Sequence, residues 1–327
     1  MEDISCIFCD KNSEQIVIEE NGYKARKCLK CSLVYVSPRP CLSETENIYA
    51  HDKAHTSAKR RISAVFNKKL CAKHALGVIR KHIASGCMLE IGPGAGYFLD
   101  EARRKGFDVC GNELNKVQAE FIRTELGIPC EESPLSEHLF GGKKFDIIYH
   151  CNVISHLHDP IGDFKEINDK LKDGGTLVFE TGNFGDVEEK YYSMFPGFLL
   201  PDHLFFFGEN SLKELLKQSG FEFIKIYRYS RLPEFSIQKI LRGAVDIVKS
   251  QTGVKHTEEG NTTEVSSPDV SDTGVPKPGR QSLISAMYSL ARKAYNYFLF
   301  FLRYKIGYIV PQKGRPQTVI VVACKAK

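Results

Sequence analysis

Short apolar runs alternate with helical patterns of apolar and polar positions from residue 87 onward. The runs CMLEI, FDVCGN and GIPC are separated by two helical segments, one at about 96 to 105 and one from Lys116 to Leu126. FDIIYHC and GTLVFE continue the alternation toward the C-terminus. This order of elements predicts an α/β fold built around a mostly parallel sheet.

Cap residues support these element boundaries. Gly106 and Gly127 stand where left-handed C-terminal caps belong, and Asp159 offers a capping oxygen just before a proline. Ser211 and Glu214 predict a capping box at the start of a later helix. The strand FEFIKIYRY follows that helix, and QTVIVVACK is predicted to close the sheet.

Two regions depart from the alternation. Residues 43–82 are rich in Lys, Arg and His with helical spacing of apolar positions, which predicts amphipathic helices that cover the α/β core. Residues 250–280 contain almost no large apolar side chain, which predicts a disordered insertion. The predicted divisions are an N-terminal cysteine module, a helical linker or lid, the α/β core, a helical insertion and a final core strand, at residues 1–37, 38–84, 85–235, 236–312 and 313–327.

Four of the eleven cysteines form two pairs near the N-terminus. Two residues separate Cys6 from Cys9 and Cys28 from Cys31, a spacing typical of a four-thiolate zinc site. The intervening QIVIEENGYKAR predicts a hairpin that turns at Asn21-Gly22. The sequence therefore predicts a zinc ribbon, with ordinary buried or redox-active cysteines as the alternative.

Charge and composition exclude several classes of protein. The 45 basic and 40 acidic residues are spread along the chain, which is too small a surplus to indicate nucleic-acid binding. No uncharged run approaches the length of a membrane-spanning helix. The acidic start MEDISCIFCD lacks the apolar stretch of a secretory signal, so we expect a soluble, cytoplasmic protein.

A glycine-rich turn follows the first core strand. Glu90 precedes Gly92, Gly94 and Gly96, but the dinucleotide fingerprint would need a glycine at Tyr97 or Leu99. A carboxylate there suits a cationic ligand better than a pyrophosphate. S-adenosylmethionine (SAM), which carries an ammonium and a sulfonium, is such a ligand.

The second core strand ends on Glu113. A carboxylate at the carboxyl edge of the sheet can accept hydrogen bonds from both hydroxyls of a ribose. The alternative is a solvated cap of the next helix, a role for which Asn115 is available.

These motifs, with FDIIYHCNVISHLHDP and LKDGGTLVFETGN, resemble class I SAM-dependent methyltransferases. More narrowly, the cysteine pairs, the Pro-x-Pro at Pro38 and HLFFFGENSLKELLKQSGF resemble a zinc-ribbon subgroup often found among glycan and sugar methyltransferases. The resemblance covers residues 1 to about 230 and the last strand. It implies a Rossmann-like seven-stranded methyltransferase sheet preceded by a zinc ribbon.

The resemblance also implies roles for individual residues. The methionine part of SAM would contact Glu90, Gly92, Gly94 and Gly96. Glu113 would hold the ribose, and the segment from Glu132 to Leu135 the adenine. His150 and Asn152, at the end of the fourth strand, would flank the reacting centre.

Methyl transfer to a hydroxyl requires alignment of the acceptor and removal of its proton. Imidazole titrates in the useful range, which makes His156 the first candidate base and His203 the second. A purely structural role for His156 is the alternative. Tyr191 and Tyr192 are candidates for the border of an acceptor pocket, or for packing.

Three functions compete at this stage. The first is a SAM-dependent methyltransferase that acts on an oxygen of a sugar, glycan or other small molecule. The second is an RNA methyltransferase whose zinc ribbon docks nucleic acid, and the third is a non-catalytic zinc-ribbon scaffold. The aromatic and basic helix at 291–310 also suits peripheral contact with a membrane, or packing on the domain.

Overall fold

The computed structural model describes residues 1–44, 58, 62–135, 138–241, 280–310 and 313–326, with backbone alone at 280–286 and 288. The predicted disordered insertion at 250–280 lies outside the described residues, except for residue 280. Much of the predicted lid, at 45–57 and 59–61, also lies outside them. No described helix is long and apolar enough to cross a membrane.

The N-terminal segment forms three short antiparallel strands: β1 (Ile16–Glu20), β2 (Tyr23–Lys27) and β3 (Val34–Val36). The turn between β1 and β2 falls at Asn21 and Gly22, both left-handed at φ 53° and 81°. Two left-handed residues give the turn that matches the twist of a hairpin, so the predicted hairpin is confirmed.

Helices and strands then alternate as the sequence predicts. The helices are α1 (Val65–Ile79), α2 (Tyr97–Arg104), α3 (Lys116–Thr124), α4 (Pro160–Lys170), α5 (Glu209–Gln218) and α6 (Arg280–Phe301). The strands are β4 (Cys87–Ile91), β5 (Asp108–Asn112), β6 (Cys130–Glu131), β7 (Phe145–Cys151), β8 (Leu171–Gly182), β9 (Phe205–Phe206), β10 (Phe221–Ser230) and β11 (Gln317–Lys325). Residues 232–241 are also helical.

Seven strands form the main sheet in the order β10–β11–β8–β7–β4–β5–β6. β11 is antiparallel to both of its neighbours, and the pairs from β8 to β6 are parallel. Apolar clusters cover both faces, which is why the central strands read as continuous apolar runs rather than as alternating ones. The predicted α/β fold with a mostly parallel seven-stranded sheet is confirmed.

The cap predictions are confirmed at three helices and wrong at one. Gly106 and Gly127 are left-handed, and the Asp159 carboxylate accepts a hydrogen bond from the N–H of Gly162. Ser211, however, lies inside the first turn of α5, where its Oγ accepts from the N–H of Gly208 at 2.8 Å. The helix therefore begins one turn earlier than predicted.

The N-terminal segment shares a sheet with the core. β9 pairs with β3, which makes a four-stranded sheet in the order β1–β2–β3–β9. The Glu20 carboxylate accepts the N–H groups of Phe198 and Leu200 at 3.0 and 2.8 Å. The predicted boundary at residue 37 therefore separates two sequence patterns but not two independent bodies.

Candidate active site

The glycine turn between β4 and α2 brings bare backbone to the carboxyl edge of the sheet. Gly92 and Gly96 have φ of 65° and 70°, a region that side chains rarely tolerate. A Cβ on Gly92 would lie 2.8 Å from a methyl of Val153, and one on Gly96 would lie 2.7 Å from Ile122. The turn therefore requires glycine at these positions, both for its left-handed backbone and for its close packing against Val153 and Ile122.

Glu90 lies buried beneath this turn. Its side chain is 4% exposed, and its Oε2 has no hydrogen-bond partner among the described residues. Burial, and secondarily the nearby charge of Glu113, raise the pKa of Glu90 well above its usual value. A buried carboxyl with one oxygen unpaired is costly, and a cationic ligand would relieve that cost. The ammonium of SAM fits this requirement.

Glu113 connects the glycine turn to the start of α3. One carboxylate oxygen accepts the N–H of Gly94 and the other accepts the N–H of Asn115, both at 2.8 Å. Asn115 itself caps α3, since its side chain accepts from the N–H of Gln118 at 3.2 Å. Glu113 is thus not needed as the cap of α3. Its position at the sheet edge permits contact with a ribose, and that contact stays a prediction.

Two further polar residues at this edge were missed in the sequence. The Nδ2 of Asn112 donates to the carbonyl of Ser133 at 2.7 Å and so fixes the segment predicted to contact adenine. Gln118 is buried, and its Oε1 has no partner among the described residues. Asn112 directly precedes Glu113 at a strand end, a signal that could have identified it. Nothing in the pattern of α3 distinguishes Gln118.

His150 and Asn152 have different surroundings although both end β7. The His150 ring stacks on Phe179 at 5.0 Å and meets Phe164 edge-on at 5.7 Å. Burial lowers the pKa of His150 to about 3, so the ring is neutral at physiological pH. The structure thus places this side chain among apolar rings, with neither ring nitrogen hydrogen-bonded to a described residue, and its predicted place beside the reacting centre stays a prediction. Asn152 is exposed and left-handed, with its N–H bonded to the Glu180 carbonyl at 2.8 Å, and its predicted place beside the reacting centre stays a prediction.

The two candidate bases are brought together from separate segments. The ring centroids of His156 and His203 lie 4.7 Å apart. The Nδ1 of His156 is 2.9 Å from the Asp202 carbonyl and 3.3 Å from its carboxylate. The Nδ1 of His203 is 2.8 Å from the Phe198 carbonyl. Because a carbonyl only accepts, each Nδ1 carries a hydrogen, and each neutral ring keeps its basic lone pair on Nε2.

The protonation of His203 follows from its burial. Burial, and secondarily the proximity of His156, lower the pKa of His203 to about 4. The His203 ring is therefore neutral at physiological pH and retains a proton-accepting nitrogen. The ligand atoms of His156, Asp202 and His203 all lie within 4.8 Å of one another, so this group can also hold a metal ion. The arrangement can orient an acceptor and take a proton from it.

Comparison with known proteins agrees with this geometry. The family model described as a methyltransferase domain matches residues 62–226, which is half of the chain. The chain belongs to the methyltransferase domain family. It is a SAM-dependent methyltransferase, and this excludes the non-catalytic scaffold.

Curated relatives include a methyltransferase and a carboxymethyltransferase. A ubiquinone biosynthesis O-methyltransferase of Ruegeria pomeroyi is 24% identical over 50% of this chain and 68% of that protein. A tRNA U34 carboxymethyltransferase of Vibrio atlanticus is 29% identical over 42% of this chain and 46% of that protein. This methyltransferase spans less than half of the second relative's length.

Solved structures resemble the chain at low identity. A putative sarcosine dimethylglycine methyltransferase from Galdieria sulphuraria has a TM-score of 0.47 at 13% identity, over 78% of this chain and 85% of that one. A Haemonchus contortus phosphoethanolamine N-methyltransferase 2, bound to S-adenosylhomocysteine, has a TM-score of 0.45 at 17% identity, over 78% of this chain and 53% of that one.

In this methyltransferase the four paired cysteines converge beside β3. The Sγ atoms of Cys6 and Cys31 lie 3.5 Å apart, as do those of Cys9 and Cys28. The sulfurs of Cys6, Cys9 and Cys28 all lie within 4.8 Å of one another. Zinc–sulfur bonds of about 2.3 Å in a tetrahedron need sulfur separations of about 3.8 Å. Three of the thiols therefore lie close enough together to bind one zinc ion, and Cys31 adjoins them through Cys6.

The cysteine module holds the histidine pair in place. The carbonyl of Leu204, the residue after His203, accepts the N–H of Val36 at 2.9 Å. The N–H of Leu204 in turn donates to the carbonyl of Ser155, the residue before His156, at 2.7 Å. Backbone hydrogen bonds thus join β3 to both histidine-bearing segments.

Tyr191 and Tyr192 belong to an aromatic cluster on the same four-stranded sheet. The Tyr192 ring lies 4.8 Å from Phe184, and both tyrosines pack against this cluster while remaining half-buried. The structure is compatible with both roles considered for them, packing and the border of an acceptor pocket.

Proposed function

We propose that this SAM-dependent methyltransferase methylates an oxygen atom of a sugar, a glycan or another small-molecule acceptor. The observation that carries this proposal is the pairing of His156 with His203, beside Asp202, at 4.7 Å between ring centroids. A hydroxyl is a poor nucleophile until its proton is removed, and this pair supplies the base. The R. pomeroyi relative is named as an O-methyltransferase, which supports oxygen as the methylated atom.

Each residue has a distinct part in the proposed reaction. When bound, SAM supplies an electrophilic methyl group. Glu90 and the glycine turn hold the ligand's methionine part, and Glu113 accepts from its ribose. Asp202 orients His156 through Nδ1, so that Nε2 faces away from the carboxylate and can take the acceptor's proton. His203 is neutral at physiological pH, so it places no positive charge beside the His156 nitrogen that takes the proton.

We also propose that Cys6, Cys9, Cys28 and Cys31 bind a structural zinc ion. All four ligands come from the protein, which leaves no open position for catalysis and is typical of structural sites. The ion would stabilise β3, and through β3 the two histidine-bearing segments. Metal analysis of the purified chain tests this: we expect one zinc per chain, and a Cys9→Ser variant should lose it.

Action on tRNA is the second candidate, supported by the V. atlanticus relative. Against a docking role for the cysteine module, residues 1–37 carry six acidic and five basic side chains. Lys24 and Arg26 also lie within 3.7 Å of Glu19 and Glu14. Nucleic-acid binding surfaces are strongly basic, so the module's charge favours the small-molecule acceptor.

Methyl-labelled SAM distinguishes the two candidates. The full chain is incubated with separate pools of nucleotide sugars, oligosaccharides, phenolic small molecules and total tRNA. We expect label in a small-molecule or saccharide pool, recovered as a methoxy group by nuclear magnetic resonance. Label confined to the tRNA pool would overturn the proposal.

A further inference from the structure

The C-terminal helix α6 is fixed to the enzyme along its last turns. The Phe300 ring lies 6.0 Å from His74 of α1. Arg303, just after α6, makes two hydrogen bonds of 2.8 and 2.6 Å to the buried carboxylate of Glu234. Tyr304 donates to Glu180 at 2.7 Å. These contacts determine which face of the helix packs on the body.

The opposite face of α6 is apolar and exposed. Apolar residues repeat every three or four positions, which places them on one side of a helix. We name this set the α6 stripe: Met287, Leu290, Ala291, Ala294, Tyr297, Phe298 and Phe301. Its five large side chains are between 40% and 71% exposed. From Met287 to Tyr295, every residue whose side chain is described is exposed, so this half of the helix offers an open surface within the described part of the chain.

Charge identifies what the stripe would contact. Residues 280–310 contain five basic residues and no Asp or Glu. Arg292 and Lys293 are exposed within the same turns as the stripe. A helix with an apolar face whose charged residues are all basic is typical of helices that lie in the interface of an anionic bilayer.

A second copy of this helix is a weaker fit. Paired helices stabilise each other when opposite charges flank the apolar seam. Two copies of α6 would bring basic residues together with no acidic residue to offset them. The helix also lacks the apolar length to span a membrane, which leaves a surface contact.

We propose that α6 docks the whole enzyme on an anionic lipid surface through the α6 stripe. Insertion buries the stripe at the level of the acyl chains, and Arg292 and Lys293 attract the headgroups. Because Arg303 and Tyr304 fix the helix to the body, lipid binding by α6 carries the enzyme with it. This inference does not depend on the acceptor.

Vesicle co-sedimentation of the full chain tests the proposal. We expect binding to vesicles of phosphatidylcholine with phosphatidylglycerol, and little binding to phosphatidylcholine alone. Arg292→Gln with Lys293→Gln should weaken binding to the anionic vesicles by roughly 30-fold. Leu290→Gln with Phe298→Gln should abolish it. The matched control is Leu42→Gln with Ile224→Gln, which changes two side chains 52% and 46% exposed elsewhere and should bind normally.

Thermal unfolding and SAM affinity, both expected to be unchanged, show that the variants are folded. Four outcomes would overturn the proposal. The first is no binding of the wild type to either vesicle, and the second is full binding by the Leu290→Gln, Phe298→Gln variant. The third is vesicle binding that is observed only after residues 242–279 are shortened. That result would show that this segment, and not lipid, covers the α6 stripe in the full chain. Light scattering identifies a fourth contrary case, a dimer that the stripe variant converts to a monomer without any lipid binding.

Discussion

The cofactor edge, formed by Glu90, the glycine turn and Glu113, is built differently from the pair of His156 and His203. At the cofactor edge, Glu90 and the glycine turn come from one continuous stretch, and Glu113 is bonded to that stretch through Gly94. The histidine pair instead depends on β3, which bonds to Leu204 in the His203 segment, and Leu204 bonds in turn to Ser155 in the His156 segment. Under the proposed function, cofactor binding is therefore encoded locally, whereas acceptor chemistry depends on contacts between distant parts of the chain.

The largest expected effect is loss of the base. In a His156→Ala variant, turnover at saturating SAM should fall by about 100-fold to 10,000-fold, because the residue that removes the proton of the substrate hydroxyl is lost. The release of S-adenosylhomocysteine, with the acceptor found in the labelling experiment, measures this. His138→Ala, which removes an exposed imidazole elsewhere, is the matched control. Full turnover in His156→Ala would leave this residue with a structural role only.

Glu113 offers the converse test on the cofactor edge. Glu113→Ala removes the acceptor of two backbone N–H groups and the predicted acceptor for the ribose. We expect SAM affinity to fall on the order of 100-fold, since each hydrogen bond to a charged group contributes about 1.5 to 3 kcal/mol. Calorimetric titration measures the change. Glu120→Ala, on the exposed side of α3, should bind SAM normally.

The cysteine module should affect turnover more than cofactor binding. If zinc stabilises β3, turnover of a Cys9→Ser variant should fall by about 10-fold or more. Loss of outer residues that orient the residues of a site has effects of this size. SAM affinity should change by less than about threefold. Cys41→Ser, outside the paired cysteines, is the control. Equal losses of turnover and SAM affinity would show that the cysteine module supports the cofactor edge as much as it supports the histidine pair.

The smallest effect concerns the pH dependence of Glu90. Its raised pKa means that the ligand-free enzyme becomes less stable as pH rises from the unfolded pKa toward the folded one, because the unfolded chain releases the proton first. Glu90→Gln should therefore raise the melting temperature of the ligand-free enzyme at neutral pH. SAM affinity of the wild type should instead weaken as pH falls, as the carboxylate that attracts the ammonium is protonated. A melting temperature that falls in Glu90→Gln would contradict the account of this buried charge.

Local patterns were sufficient for the fold and for most of the cofactor edge. The hairpin at Asn21 and Gly22, the glycine turn and the order of strands each depend on neighbouring residues, so they are legible in the sequence. The apolar surroundings of His150 were not legible because β7 is covered on both faces, and a fully buried strand has no alternation to show which way a side chain points. β9 has only two residues, too few for a pattern, and its pairing with β3 depends on tertiary contacts.

The most direct test of the separation between cofactor and acceptor sites is one calorimetric titration with SAM. The His156→Ala, His203→Ala double variant is compared with the wild type and with Glu113→Ala under the same conditions. The account predicts that the double variant binds SAM within about threefold of the wild type while Glu113→Ala binds on the order of 100-fold more weakly. Loss of SAM binding in the histidine double variant, with Glu113→Ala unaffected, would contradict it.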